Sequence, residues 1–322
     1  LISYRPFLNS DPPHLVEIWR AQPRERGLMQ PLSIDLLETL VLAKPYFDRE
    51  GIVMAFDDDL PVGFAHASFG PCDDEKDMST QWGVTSMLMV RPNYQRQGIA
   101  VELLGRSEDY LRRRGAQVLY AGGIKPLNGF YLGLYGGSEL PGVLDSGPRA
   151  QQLFRAGGYR EIDRTVVLQR DLAGFRAPMD RQQVQIRRRC TLRVKNDPPP
   201  RTWWEACTWG PFDRIRIELV ENVGGNIVAS AMFWNLQPLA SSWGVHAAGL
   251  LDMEVDAEHR RSGLATYLLS ESFRHCAVQG ASMIEVQTME ANTAARRLYA
   301  KLGFREVDHG AVFRKDAFSE GH

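Results

Sequence analysis

The stretch YQRQGIA, residues 94–100, decides how this chain folds, because HRRSGLA at residues 259–265 nearly repeats it. Aligning Gln95 with Arg260 sets an offset of 165 positions (260 minus 95). Both copies follow the pattern [QR]-x-x-G-x-A, carried by Gln95, Gly98 and Ala100 and by Arg260, Gly263 and Ala265. An apolar strand ends before each, at Val90 and at Val255, and a helical pattern starts directly after. A turn that opens a helix aims unpaired backbone N–H groups outward, and the helix dipole favours an anion there. Small residues let that anion come close to the backbone, so each turn reads as a cradle for a diphosphate. The cradle residues are Gln95, Arg96, Gln97, Gly98, Ile99 and Ala100, and again Arg260, Arg261, Ser262, Gly263, Leu264 and Ala265.

Working outward, the flanking patterns also repeat. In the first half ISYRPF reads as a strand, and DPPHLVEIWRAQ as a helix started by Asp11 and Pro12. SIDLLETLVLAK reads as a second helix capped by Ser33, then GIVMAFDDDLPVGFAHASFG as a hairpin and VTSMLMV as a buried strand. After the turn, Val101, Leu104, Tyr110 and Leu111 form a one-sided stripe, and Gly115 suits a helix stop. A strand, a glycine-rich passage, the helix RAQQLFRAGG and the strand RTVVLQRDL complete this half. The second half runs through IRIELVE, NIVASAMFWNL, AGLLDMEV, the turn with its helix, SMIEVQTM, NTAARRLYAKLGF and GAVFRKD. Both halves therefore read strand, hairpin, strand, glycine turn, helix, strand, helix, strand, a mixed α/β layer architecture met twice. A boundary near residue 180 gives units 1–179 and 180–322, the second shorter at its start, with RQQVQIRRR as a solvated linker face and TWWEACTW as a core or interface segment.

Composition agrees and excludes several classes. A length of 322 residues suits two domains, and 44% hydrophobic with 24% charged residues is ordinary for a soluble protein. A net charge of -1 leaves no basic field for nucleic acid. No apolar run approaches the roughly 20 residues that span a bilayer. The start LISYRPFLNSDPP lacks the pattern of a signal peptide. Cys72, Cys190, Cys207 and Cys276 are scattered, which argues against a metal site or disulfide framework and for the cytoplasm.

Neither turn carries a P-loop, and neither has the G-x-G-x-x-G of a dinucleotide fold. Both closely resemble the Q/R-x-x-G-x-G/A turn of the GNAT superfamily of acyl-CoA-dependent acyltransferases, which follows the fourth strand. The resemblance implies two tandem GNAT-like domains, each a mixed twisted sheet flanked by helices, with acetyl-CoA as cofactor and its pyrophosphate on the turn. It implies that backbone of Leu88 and Val90, and of Met253 and Val255, pairs with the pantetheine amides. NTAARRLYAKLGF resembles the family's second motif, which assigns a cofactor contact to Asn292 and protonation of the departing thiolate to Tyr299. A tyrosine hydroxyl is chemically suited to that step.

The two copies differ in acid and base. In the first, Asn128 and Tyr135 share the spacing of Asn292 and Tyr299, yet AQQLFRAGGYREI offers a second register with Phe154 in the tyrosine position. The family's base, six residues before the Val, falls on Val84 and Gly249, and neither can serve. Asp252 and Glu254 remain as base candidates in the second copy, with His246 upstream, and a bulge there would decide which faces the cleft. In the first copy Thr85 and Ser86 stand at that place, and His66 is the nearest titratable group. The expected activity is acetyl transfer to a primary amine of a small molecule or peptide, catalysed by the second half, in a monomer or homodimer without nucleic-acid or membrane partners. A non-catalytic acyl-CoA sensor and an enzyme working through Tyr135 are the alternatives.

Overall fold

A computed structural model describes residues 1–178 and 180–318. The first half contains β1 (Ile2–Pro6), α1 (Pro12–Arg20), α2 (Ile34–Leu37), β2 (Ile52–Asp57), β3 (Leu60–Pro71) and β4 (Met78–Val90). It continues with α3 (Ile99–Arg113), β5 (Val118–Ala121), β6 (Val143–Leu144), α4 (Pro148–Ala156) and β7 (Arg160–Asp171). The second half contains α5 (Arg181–Arg189), β8 (Cys190–Asn196), α6 (Trp203–Trp209), β9 (Arg214–Glu221), β10 (Ile227–Asn235), α7 (Gln237–Trp243) and β11 (Ala247–Val255). It ends with α8 (Leu264–Val278), β12 (Met283–Met289), α9 (Thr293–Lys301) and β13 (Arg305–Asp316).

The repeated element order is present, and α3 and α8 are each 15 residues long. The stripe on α3 needs one correction. Ile99, Leu103, Leu104, Tyr110 and Leu111 are buried, while Val101 is 64% exposed. The helix starts at Ile99, and at 3.6 residues per turn Val101 falls outside the face those residues share. The segment RQQVQIRRR is also more than a linker. It is the helix α5, capped by Asp180, with Gln183 and Ile186 buried and its arginines outward.

The two halves share one sheet, in the order β1-β2-β3-β4-β5-β13-β7-β12-β11-β10-β9-β8, with β6 also on β13. The two closing strands are exchanged. β13, at the end of the second half, lies against β5, with Phe313 opposite Ala121. β7, at the end of the first half, lies against β12, with Leu168 opposite Val286. The two exchanged strands pair with each other in the middle of the sheet. Their side chains follow: Ala311 and Phe313 pack with Phe154, Tyr159 and Leu119, whereas Val166 and Leu168 join the core under α8. Lys315 Nζ reaches the buried Glu108 of α3 at 2.9 Å. Burying a phenylalanine as fully as Phe313 contributes about 3 kcal/mol, so each half gains stability from the other's last strand.

A further difference lies inside the fifth strand of the first half. The turns are offset by 165 positions, but α4 and α9, nine residues each, are offset by 145 (293 minus 148). The difference of 20 is an insertion within residues 122–142, between β5 and β6, which lie along the same neighbour β13. This glycine-rich passage packs between the two halves. Its Phe130, Tyr131, Leu132 and Leu134 share a core with Trp19 of α1 and with Trp209, Phe212 and Trp234 of the second half.

Candidate active site

Both turns have the same geometry. Arg96 and Arg261 adopt φ of 65° and 58°, and Gly98 and Gly263 adopt 81° and 80°. Left-handed φ at these four positions turns successive N–H groups to one side, which makes an anion nest. No side chain caps either following helix, so its first amides stay free. Gln95 Nε2 donates to the carbonyl of Val90 at 3.3 Å, and Arg260 Nε to that of Val255 at 3.4 Å. The pattern's first residue therefore ties the turn back to its strand, which explains why a long donor side chain stands there. Ile99 and Leu264 are buried and offer only backbone, while Arg96, Gln97 and Arg261 are exposed. A Cβ at Gly98 would meet nothing within 4 Å, whereas at Gly263 it would lie 2.8 Å from Gln182 Oε1 of α5. Gln183 Nε2 also donates to the Gly263 carbonyl at 3.4 Å, so α5 borders the second turn. Ser262 Oγ bonds the carbonyl of His259 within that turn.

The strands leading to the turns part from their neighbours at matching places. β4 pairs with β5 from Trp82 to Thr85, and β11 with β12 from Ala247 to Leu250. A bulge follows each, at Ser86 and at Leu251, again 165 positions apart. Beyond the bulges Leu88 and Val90, and Met253 and Val255, run along an edge that β5 and β12 do not pair. Free backbone groups there suit the amides of an extended ligand. Nest, uncapped helix and open edge together fit coenzyme A in both halves.

The acid position distinguishes the halves. Asn292 caps α9, its Oδ1 accepting from Ala295 N–H at 3.1 Å, and Tyr299 follows on the same helix. Tyr299 is 5% exposed and packs on Phe304. Burial, with the charge of Glu139 adding to it, holds its phenol well above the usual tyrosine value, so it is protonated at neutral pH. In α4 the same two steps are Gly147 and Phe154, and Phe154 packs on Tyr159. Asn128 and Tyr135 lie in the insertion. Tyr135 hydroxyl accepts from Leu144 N–H at 3.1 Å, and Tyr135 packs against the core shared between the halves. His66 is buried, its Nδ1 2.9 Å from the Tyr131 hydroxyl, and burial pushes its imidazole down to about 3. A neutral, walled-in histidine is a core residue, and the insertion fills the space beside it.

In the second half both base candidates follow the bulge at Leu251, two residues apart on regularly paired strand, and their surroundings distinguish them. Asp252 lines a cavity of about 280 Å³, while Glu254 is exposed and does not line it. The cavity lies between the insertion, α6 and β11, and its walls include Asn128, Glu139, Arg201, Trp204 and Trp209. The TWWEACTW segment thus serves interface and cavity at once. Glu139 is the residue that sequence reasoning missed. It sits in a glycine-rich passage of the other half, and nothing in its neighbourhood marks it. Burial raises its carboxyl to about 8, with Asp252 adding and Lys125 opposing. Asn128 Oδ1 and Trp204 Nε1 are buried without a hydrogen-bond partner among the described residues, as polar atoms awaiting a ligand would be.

Comparison with known proteins bears on the family. The Acetyltransferase (GNAT) family model matches twice, at residues 14–135 and 182–304. A search of the curated proteins finds no match. Among solved structures, a tandem GNAT protein from the clavulanic acid biosynthesis pathway superposes over 100% of both chains, with a TM-score of 0.66 and 15% identity. A GCN5-related N-acetyltransferase from Sphaerobacter thermophilus covers 99% of this chain and 96% of its own, with a TM-score of 0.65 and 16% identity. A glucosamine N-acetyltransferase region of a fungal multi-domain GH3 beta-N-acetylglucosaminidase covers 98% of this chain and 38% of its own, with a TM-score of 0.70 and 17% identity. At such identities the likeness is one of fold, and among the described residues no helix is long and apolar enough to cross a membrane. With both halves matched by the family model, the chain is a tandem member of the GNAT acetyltransferase family.

Proposed function

We propose that the chain moves an acetyl group from acetyl-CoA to the primary amine of a small molecule, and that the second half, within 180–322, does the chemistry. The observation that carries this reading is the contrast between Asn292 with Tyr299 on α9 and Gly147 with Phe154 on α4. Bound acetyl-CoA supplies an activated acyl thioester. The amides of the nest around Gly263 hold its pyrophosphate, and the free edge at Met253 and Val255 aligns its pantetheine arm. Tyr299 gives its proton at the thiol sulfur as the amine attacks, a role open to it because burial keeps its phenol protonated. The first half, within 1–179, keeps its nest and open edge and binds the same cofactor without turnover. A cavity of about 280 Å³ is at the small end of ligand sites, which favours a small acceptor over a peptide. Four unpaired cysteines agree with a cytoplasmic setting.

Thiol release from acetyl-CoA with a panel of small amines tests the reading. Tyr299→Phe should lower kcat by about 10²-fold or more while acetyl-CoA still binds. Binding without turnover in the wild type would favour an acyl-CoA sensor.

A further inference from the structure

We propose that Glu139, carried by the first half's insertion, takes the proton of the acceptor amine in the second half's site. This rests on the acetyl-transfer reading above. The geometry that points to it is the docking of the insertion. Ser138 N–H donates to Glu285 Oε1 of β12 at 2.7 Å, and the Ser138 carbonyl accepts from Trp234 Nε1 of β10 at 3.0 Å. The Glu139 carbonyl accepts from Gln287 Nε2 of β12 at 2.7 Å. Two consecutive residues are thus held through their backbone by three side chains of the other half, which fixes the point from which Glu139 lines the cavity.

The same docking explains Gly249, which stands six residues before Val255. A Cβ there would lie 2.6 Å from Trp234 Nε1 and 2.9 Å from Ser138 Cβ. The insertion occupies the space that any side chain at 249 would need, and it brings its own carboxylate one residue further on.

Several charged or titratable groups face Glu139. Asp252 comes from β11, with its Oδ2 3.4 Å from Arg201 Nη2. Lys125 comes from the insertion and Tyr299 from α9. Glu205 and Arg214, paired at 2.6 Å, line the same cavity. Asp252 is engaged by Arg201, so Glu139 is the freer acceptor. Burial brings its carboxyl to about 8, a useful value for a base near neutral pH. Asn128 Oδ1 lines the same cavity unpartnered. With Glu139 it offers acceptors for the N–H donors of a primary ammonium.

The protons balance. The amine nitrogen bonds to the thioester carbon and the carbon–sulfur bond breaks. Of the two protons the ammonium loses, one passes to Glu139 and then to solvent. The other replaces the proton that Tyr299 gives to sulfur.

Thiol release by the full chain is measured with acetyl-CoA and glucosamine, putrescine or tyramine, from about pH 6 to about pH 10. Wild-type kcat/KM should rise with pH through a limb near 8. Glu139→Gln should lose about 10²-fold or more and flatten that limb, with Glu139→Asp retaining part of the rate. Circular dichroism should show both variants folded. Glu139→Gln with wild-type rate and limb, beside an inactive Tyr299→Phe, would discard Glu139 and leave the acetyl-transfer reading standing. A limb lost in Asp252→Asn instead would also overturn the assignment. No thiol release by the wild type with any of the three amines would overturn both.

Discussion

Tyr299 and Phe154 stand on the same step of equivalent helices and differ by one oxygen atom. Restoring that oxygen in the first half should not restore chemistry. Phe154 is 5% exposed against Phe313, so the hydroxyl of Phe154→Tyr would be buried among aromatic rings. We expect a loss of about 1–3 kcal/mol in denaturant melts and no added turnover in a Tyr299→Phe background. The sequence left this position open because Asn128 and Tyr135 copy the spacing of Asn292 and Tyr299 inside the insertion. Two residues at the right interval carry no information on whether a helix joins them. Glu139 bears on stability as well as chemistry. Its folded carboxyl binds a proton up to about 8, above the unfolded value of about 4.3. Between those values the folded state holds more protons, so the stabilising contribution is present at low pH and lost as pH rises toward 8. The melting temperature of Glu139→Gln relative to wild type should therefore climb across that window and level off above it. A difference that falls with pH would contradict the assigned direction.

At the scale of the element, the insertion is fastened by a buried carboxylate. Glu285 is fully buried and also accepts from Arg26 Nη1 at 2.8 Å and from Gln169 Nε2 at 2.7 Å. Removing one partner of such a set is costly, about 3–5 kcal/mol where a buried charge loses its compensation. Gly137 makes the close approach possible, since a Cβ there would fall 1.6 Å from Glu285 Oε1. Gly137→Ala should cost about 1–3 kcal/mol and raise KM for the amine while leaving acetyl-CoA affinity unchanged. Calorimetric titration with coenzyme A and steady-state kinetics separate the two effects. The glycines of this passage were legible as a departure from helix. Its docking was not, because Ser138 and Glu285 are 147 positions apart and hydrogen bonds across that distance leave no pattern along the chain.

Over the whole molecule, the duplicated element order and both turns were legible, because periodicity and turn chemistry are local. The exchange of β7 and β13 was not. A run of apolar residues shows that a strand is buried, and is silent on which strand lies beside it. The exchange ties the folding of each half to the other. A single heat-absorption peak is expected in calorimetry, with calorimetric and van't Hoff enthalpies equal. Two resolved peaks would mean that the halves melt independently, and that the shared sheet contributes less cooperativity than its pairing implies.

The exchanged strands make the molecule the single-chain counterpart of a swapped dimer. In two separate polypeptides the exchange would be an association, and dilution would undo it. The connection between β7 and α5 makes the second half a tethered partner, present at an effective concentration of ~mM however dilute the protein. The melting temperature of the intact chain should thus be independent of concentration. A chain nicked by protease within residues 172–178 should melt at a temperature that falls on dilution, because its last strands would then be shared between two molecules.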